Sequence, residues 1–380
     1  MSETISSTRR GLLGRLYHGE TAIDFYGRRR YGFIFSGLLI VVTLVSLATS
    51  GLNLGIDFEG GVAWQVPASS TFDSDAARAV VEDNGVEVTN AKVQTLESGG
   101  VESIRIQVGD QSTEVRSTVQ SALAVAAGVD VNEVSVSSVS SSWGRSITEK
   151  AVRALVVFLI LVSLYIAWRF EWRMAIAAIV AMLHDVLISV GIYSVFGFEV
   201  TPATVVAFLT ILGFSLYDTI VVFDKVQDNI ERFAATRTGM ADITNVSMNQ
   251  VLMRSLNTSL AAVLPVISLL VLGSGVFGAV ALREFAVALL VGLLIGSYSS
   301  IFVASPLLAV LKEREPRFRN LRGLHSTGAE LEHMVVTGTS SGLKSVRRQT
   351  QVDPESTPSA PVTSSTLLTH PPRPRKKRRR

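Results

Sequence analysis

Six stretches of the chain are apolar over roughly the length a bilayer requires, about 20 residues. They predict spans over residues 31–50, 151–168, 174–196, 201–223, 255–272 and 285–311, the second and fifth being short. The interval between the first two, 51–148, has a different rhythm. Residues 61–66 form a short apolar strand. Residues 73–84 have a helical period, with Asp73 or Ser74 as N-cap, Ala76, Ala77, Val80 and Val81 as the apolar stripe and Gly85 as the stop. Residues 91–96 and 103–108 alternate as strands on either side of a Ser98-Gly99-Gly100 turn. Residues 112–127 return to the helical period, with Val115, Val119, Leu123 and Ala126 on one face and Gly128 at the end, and 133–139 alternate again. The order β-α-β-β-α-β predicts a ferredoxin-like α+β domain, joined to the second span by a linker over residues 140–148.

Charge then orients the spans. Lys and Arg near span ends favour the cytoplasm. The leader 1–30 carries Arg9, Arg10, Arg15, Arg28, Arg29 and Arg30; the second turn holds Arg169 and Arg173; the fourth-to-fifth segment holds Lys225, Arg232 and Arg237. The opposite loops are nearly free of basic residues, with only Arg283 in 273–284. Both termini are thus predicted to be cytoplasmic, as an even number of spans requires. The domain 51–148 is predicted to be extracytoplasmic, and its 13 acidic residues against five basic ones, a net charge of −8, are consistent with that. The leader is long and the first apolar run exceeds an h-region, which reads as an uncleaved signal anchor; Ala48-Thr49-Ser50 leaves cleavage as the alternative. The predicted fold class is a polytopic α-helical membrane protein with six spans and one ferredoxin-like extracytoplasmic domain.

Composition adds exclusions. Only 18% of residues are charged, against about 25% in soluble domains, and 48% are hydrophobic. The chain has no cysteine, so disulfides and thiolate metal sites are excluded. The 51–148 domain has no histidine, which leaves it a binding or mechanical role. No Walker-type loop, metal cluster or nucleophile elbow is present, so neither an enzyme nor a cofactor or metal is expected.

Ionisable residues inside spans cost about 2.5–3.5 kcal/mol at the membrane centre and usually face a bundle interior. His184 and Asp185 fall mid-way along the third span, and Asp218 lies about 9 Å inside the fourth if Asp224 marks its boundary. Arg254 begins the fifth from the same side. Two readings stay open on the residues alone: a solvated boundary carboxylate with a snorkelling arginine, or a functional acid–arginine pair. His184-Asp185 reads as a tie between helices or as a proton carrier. Ala288, Gly292, Gly296, Ser300 and Ala304 recur every four residues in the sixth span, a stripe for close helix packing. Residues 225–233 are amphipathic, with Val226, Ile230 and Phe233 on one side, and are expected to lie along the inner membrane surface within a cytoplasmic segment 224–254. The tail from Glu313, ending in a run of Lys and Arg, is expected to be disordered and to attract anionic lipid, with no specific nucleic acid partner.

Five segments, in order, resemble the SecF branch of the SecD/SecF family. They are Gly51-Leu52-Asn53-Leu54-Gly55-Ile56-Asp57-Phe58-Glu59-Gly60-Gly61, Leu183-His184-Asp185, Asp218-Thr219-Ile220-Val221-Val222-Phe223-Asp224-Lys225, the stretch from Leu252 to Ser259 with Arg254, Asn257 and Thr258, and the stretch from Gly296 to Pro306. The resemblance spans about residues 31–311. It departs at Tyr217, where the family has Asn, so the hydrogen bonding beside Asp218 need not be the family's. The resemblance implies a bacterial inner membrane as the location, membership of the resistance-nodulation-division superfamily and a pseudo-symmetric partner, SecD. It also implies work with the SecYEG channel and, indirectly, SecA to export unfolded proteins with the proton gradient. It assigns the proton pathway to Asp218 and Arg254, with His184, Asp185, Asn257 and Thr258 in support. The rival readings are a superfamily half-transporter for a small molecule or lipid, and a passive scaffold of the export complex.

The charge pattern generates a direct test of topology. A reporter active only outside the cytoplasm is expected to work when fused after Asp110 and to fail after Arg237; the reverse result overturns the orientation.

Overall fold

The computed structural model describes residues 21–338 except 70, 71, 90, 99, 100, 277–279 and 324. The first part of the leader and the basic end of the tail lie outside the described residues. Among the described residues six helices are long and apolar enough to cross a membrane: Arg29–Thr49, Ser141–Arg169, Trp172–Phe196, Pro202–Arg232, Met240–Gly273 and Leu282–Lys312. Local chemistry sets their ends. Ser140 caps the second helix through a hydrogen bond from Trp143 N (3.4 Å). Gly197, at φ 65°, closes the third in the left-handed region. Thr201 and Thr204 form a reciprocal cap on the fourth, with Pro202 in its first turn.

Two helices depart from α geometry. Pro265 lies inside the fifth, and Leu269–Val276 continue it as π-helix. The sixth turns π over Ser300–Ala304 before resuming as Ser305–Lys312. Pro306 has no N–H for the carbonyl of Phe302, and the Ser305 hydroxyl donates to the carbonyl of Ser300 (2.8 Å). Such π turns concentrate at functional sites.

The third and sixth spans are the most enclosed, while the first and second present mostly apolar surface outward. The sixth packs along the fourth, and the first along the third. All five residues of the every-fourth stripe are buried. A Cβ on Gly292 would collide with the Ile211 side chain, and one on Gly296 would come within 3.0 Å of Ser215 Cβ. Both neighbours belong to the fourth span, so the stripe is what lets these two backbones approach.

Residues 61–139 carry a four-stranded sheet. Its strands are β2 (Gly61–Pro67), β3 (Lys92–Ser98), β4 (Val101–Val108) and β5 (Ser135–Val139), ordered β3-β4-β2-β5 with every pairing antiparallel. Helices Ser74–Asp83 and Thr113–Ala127 pack on it, completing the β-α-β-β-α-β order of elements. The core is Val62, Trp64, Val66, Ile104 and Ile106 under Ala77, Val81, Val119 and Leu123. The helix Thr113–Ala127 buries Ala124 and exposes Ala126, which the periodicity placed inside.

The sheet joins the bundle without a flexible linker. Residues 140–148, predicted as a linker, are instead the cap and first turns of the second span, immediately after β5. Gly60, at φ 78°, packs against this helix start: a Cβ there would lie 2.6 Å from Ser141 Cα. A second attachment is the two-residue strand β1 (Asn53–Leu54), which pairs in parallel with β6 (Glu199–Val200) between the third and fourth spans.

At the other end of the bundle two expectations are corrected. Residues 225–232 do not form a separate surface helix; they continue the fourth span, and Val226, Ile230 and Phe233 are buried in the protein. Their apolar stripe covers the start of the fifth helix instead of lipid. The described part of the tail holds two short helices, Pro316–Arg319 and Ala329–Thr337. Phe318, Leu331, Met334 and Val335 are buried, apolar content enough to anchor it. The residues before the first span join this base, with Asn245 accepting from Tyr26 N (2.8 Å) and Asn249 from Thr21 Oγ1 (2.8 Å). Asp24 is desolvated there, which raises its pKa, yet hydrogen bonds from His325, Gly27 N–H and Asn245 hold it below the usual carboxylate range.

Gly292→Leu is expected to cost about 1–3 kcal/mol or more by overpacking against Ile211, read as loss of folded protein in membranes. Leu294→Val, one residue pair away on an exposed face, is expected to be neutral. Equal effects would mean that the stripe does not set the contact.

Candidate functional site

The site forms where the third, fourth, fifth and sixth spans meet. Asp185 and Asp218 are 1% and 2% exposed. An unpaired buried carboxylate is costly, and here each is surrounded by hydroxyls. Ser215 Oγ of the fourth span donates to Asp185 Oδ2 at 2.5 Å, and Ser299 Oγ of the sixth donates to the same oxygen at 2.7 Å. The other oxygen, Oδ1, lies 2.9 Å from His184 Nδ1. Asp185 therefore ties three spans together.

Asp218 is held in the same way. Ser255 of the fifth span donates to one of its oxygens, and Ser300 of the sixth to the other. Hydrogen bonds to charged groups contribute roughly 1.5–3 kcal/mol each, so two per acid offset much of the insertion cost. The two clusters are contiguous. Ser215 and Asp218 are three apart on one helix, and Ser299 and Ser300 are neighbours in sequence. Consecutive residues of a regular α-helix point about 100° apart, but at the start of the π turn both serines are fully buried and each meets a different acid. The widened turn thus bridges Asp185 to Asp218.

The pairing of Asp218 with Arg254 is not present. Among the described residues no ion pair joins them, and Arg254 is exposed. The reason is helical phase: Ser255 occupies the position facing Asp218, which turns Arg254 about 100° away. Asn257 is also exposed, and the Thr258 hydroxyl donates to the carbonyls of Arg254 (3.0 Å) and Ser255 (2.9 Å) on its own helix. Tyr217, the departure in the motif, is 51% exposed and points away from the site. Sequence reasoning missed Ser215, Ser255 and Ser299, and took Ser300 only as a packing residue. Their signal was position: Ser215 one helical turn before Asp218, and Ser299-Ser300 just ahead of Pro306.

His184 keeps a reserve. Its Nε2 is buried without a hydrogen-bond partner among the described residues, and its ring lies 6.4 Å from that of Tyr298. The Tyr298 hydroxyl donates to Gly32 O of the first span (3.0 Å). The polar centre therefore reaches from the first span to the sixth. Hydroxyls can donate or accept, and a carboxylate can take a proton, so the arrangement is able to hold and re-route protons between helices.

Residues 118–314 match the family model described as protein export membrane protein SecD/SecF, C-terminal, and residues 45–69 match the SecD/SecF GG motif. Protein translocase subunit SecF of Streptomyces coelicolor is 43% identical over 316 residues, covering 82% of this chain and 83% of that protein. The Mycobacterium tuberculosis subunit of the same name is 44% identical over 315 residues, covering 81% and 71%. The crystal structure of SecDF, a translocon-associated membrane protein from Thermus thermophilus, matches with TM-score 0.69 and 33% identity over 78% of this chain. This chain spans 39% of that longer one. The shared motifs, the six spans and these matches together place the chain in the SecF family of protein translocase subunits.

Proposed function

We propose that this chain works with SecD as a proton-using accessory subunit of the Sec export machinery, assisting SecA-driven passage of unfolded proteins through SecYEG. The observation that carries the reading is the pair of enclosed carboxylates, Asp185 and Asp218, each held by serine hydroxyls from neighbouring spans. Asp218 is the proton-binding group, and Asp185 with His184 is the adjoining helix tie. Protonating Asp218 turns an acceptor into a donor and so changes what Ser255 and Ser300 can offer it. Rotating the fifth span by one residue step would exchange Ser255 for Arg254 opposite the acid, and the proposed switch uses that exchange. The gradient supplies about 2.3 kcal/mol per charge per 100 mV, enough to bias conformers a few kcal/mol apart.

The sheet domain is proposed to lie outside the cytoplasm and to contact exported protein; both termini are proposed to be cytoplasmic. Its β3-β4-β2-β5 order and antiparallel pairing support the ferredoxin-like reading. The role is mechanical, with no covalent chemistry. The half-transporter reading is less well supported, since the chain carries one such domain where substrate-efflux members usually carry two. The scaffold reading is separated by experiment.

In sealed vesicles at fixed ATP, Asp218→Asn is expected to abolish the gradient-dependent part of export while leaving insertion and SecD binding intact. A variant that still responds fully to the gradient contradicts the assignment. Ser300→Ala is expected to retain a weaker response, with about 1–3 kcal/mol lost from the acid's hydrogen bonding; a response equal to wild type would remove that serine from the switch.

A further inference from the structure

The two acid-bearing spans, the third and the fourth, are joined by the short loop that contains β6. Glu199 sits in that strand. Its side chain is 5% exposed and turns toward the sheet domain. Arg105 Nη1 donates to Glu199 Oε2 at 3.1 Å, and Gln107 Nε2 donates to Oε1 at 2.8 Å. Arg105 and Gln107 alternate on one face of β4, an inner strand of the sheet. One buried carboxylate from the loop thus holds two donors of one strand.

Gly55 makes the approach possible. Its N–H donates to Val200 O (3.0 Å), which keeps the chain against β6. A Cβ on Gly55 would lie 2.6 Å from Glu199 Oε1. The carboxylate reaches Gln107 only because that position has no side chain.

We infer that Glu199, clasped by Arg105 and Gln107 past Gly55, is the point through which movement of the third and fourth spans is delivered to the sheet domain. The other attachments are less direct. The second span begins directly after β5 and carries neither acid, and the two-residue pairing of β1 with β6 holds the chain ahead of β2 and not the sheet itself. A shift of the hairpin that bears Asp185 and Asp218 moves Glu199 directly, and Glu199 grips the middle of the sheet, not its edge. A buried charge pair is well suited to this, because losing either partner leaves the other uncompensated, so the clasp holds until it is broken outright. The part of this inference that concerns transmission rests on the proton-driven reading above; the clasp itself does not.

The chain has no cysteine, so pairs of spin labels can be placed cleanly. Ser121→Cys on the domain helix and Val195→Cys on the third span, both exposed, report domain against span in the full chain in lipid nanodiscs. Ser121→Cys with Asp75→Cys reports the inside of the domain. In the wild-type background the 121–195 pair is expected to give one narrow distance distribution. Glu199→Gln and Arg105→Gln are each expected to lose it while the 75–121 pair stays unchanged, which excludes simple unfolding. Gly55→Ala is expected to have the same effect alone and to add little to Glu199→Ala, since the 2.6 Å clash is with the carboxylate and only a 3.3 Å contact with Val200 O remains without it. A 121–195 distribution that stays narrow in Glu199→Gln, or a Gly55→Ala effect that persists undiminished in Glu199→Ala, overturns the clasp. In proteoliposomes, imposing a proton gradient is expected to shift the distance from Ser121→Cys to Leu260→Cys, on the exposed face of the fifth span, in the wild-type background and not in Glu199→Ala. An equal shift in both overturns transmission through Glu199. No shift in either contradicts the proton-driven reading, while the gradient-free arm still decides the clasp.

Discussion

The structure turns on the need to keep two carboxylates inside an apolar bundle. Each costs several kcal/mol to desolvate; among the described residues neither is paired with a Lys or Arg, and Asp185 has only the imidazole of His184 beside it. Serine hydroxyls from adjacent spans take that role, two for each acid. Serine is small, and its short reach forces the backbones close. The glycine and alanine stripe of the sixth span makes that closeness possible, and the π turn at Ser300 aims two successive hydroxyls at two different acids. Packing and polarity are therefore one arrangement: the fourth and sixth spans approach closely where the acids need donors.

Much of this was legible in the chain itself. The spans announced themselves by length and hydropathy, and the strand and helix periods of the sheet domain by alternation and by glycine stops. The errors have physical causes. Residues 140–148 are polar and read as a linker, but a capping serine and a helix-compatible stretch after it extend the second span to the edge of the sheet. Residues 225–233 and 313–338 carry apolar faces whose cover cannot be read from periodicity: the same stripe fits lipid or protein. Here protein covers them.

The site was legible as acids and not as a network. Asp185 and Asp218 stand out because charge is rare in a span, whereas a serine there looks like a small residue. Opposite charge suggested Arg254 as the partner, but a helix has phase, and one residue step separates an exposed arginine from the buried Ser255. Pairing by charge ignores direction; the hydroxyl that faces the acid is the one that binds it. The same lesson applies at the sheet: Glu199 is one of many scattered carboxylates in sequence, and only its burial against Arg105 and Gln107 sets it apart.

The central claim is that serines, and not Arg254, hold Asp218 in this conformation. Double-mutant cycles on reversible unfolding in micelles measure it directly, pairing Asp218→Asn with Ser300→Ala, Ser255→Ala and Arg254→Gln in turn. The account predicts coupling of about 1–3 kcal/mol with each serine and coupling near zero with the arginine. Strong coupling to Arg254 with none to Ser255 or Ser300 would contradict it.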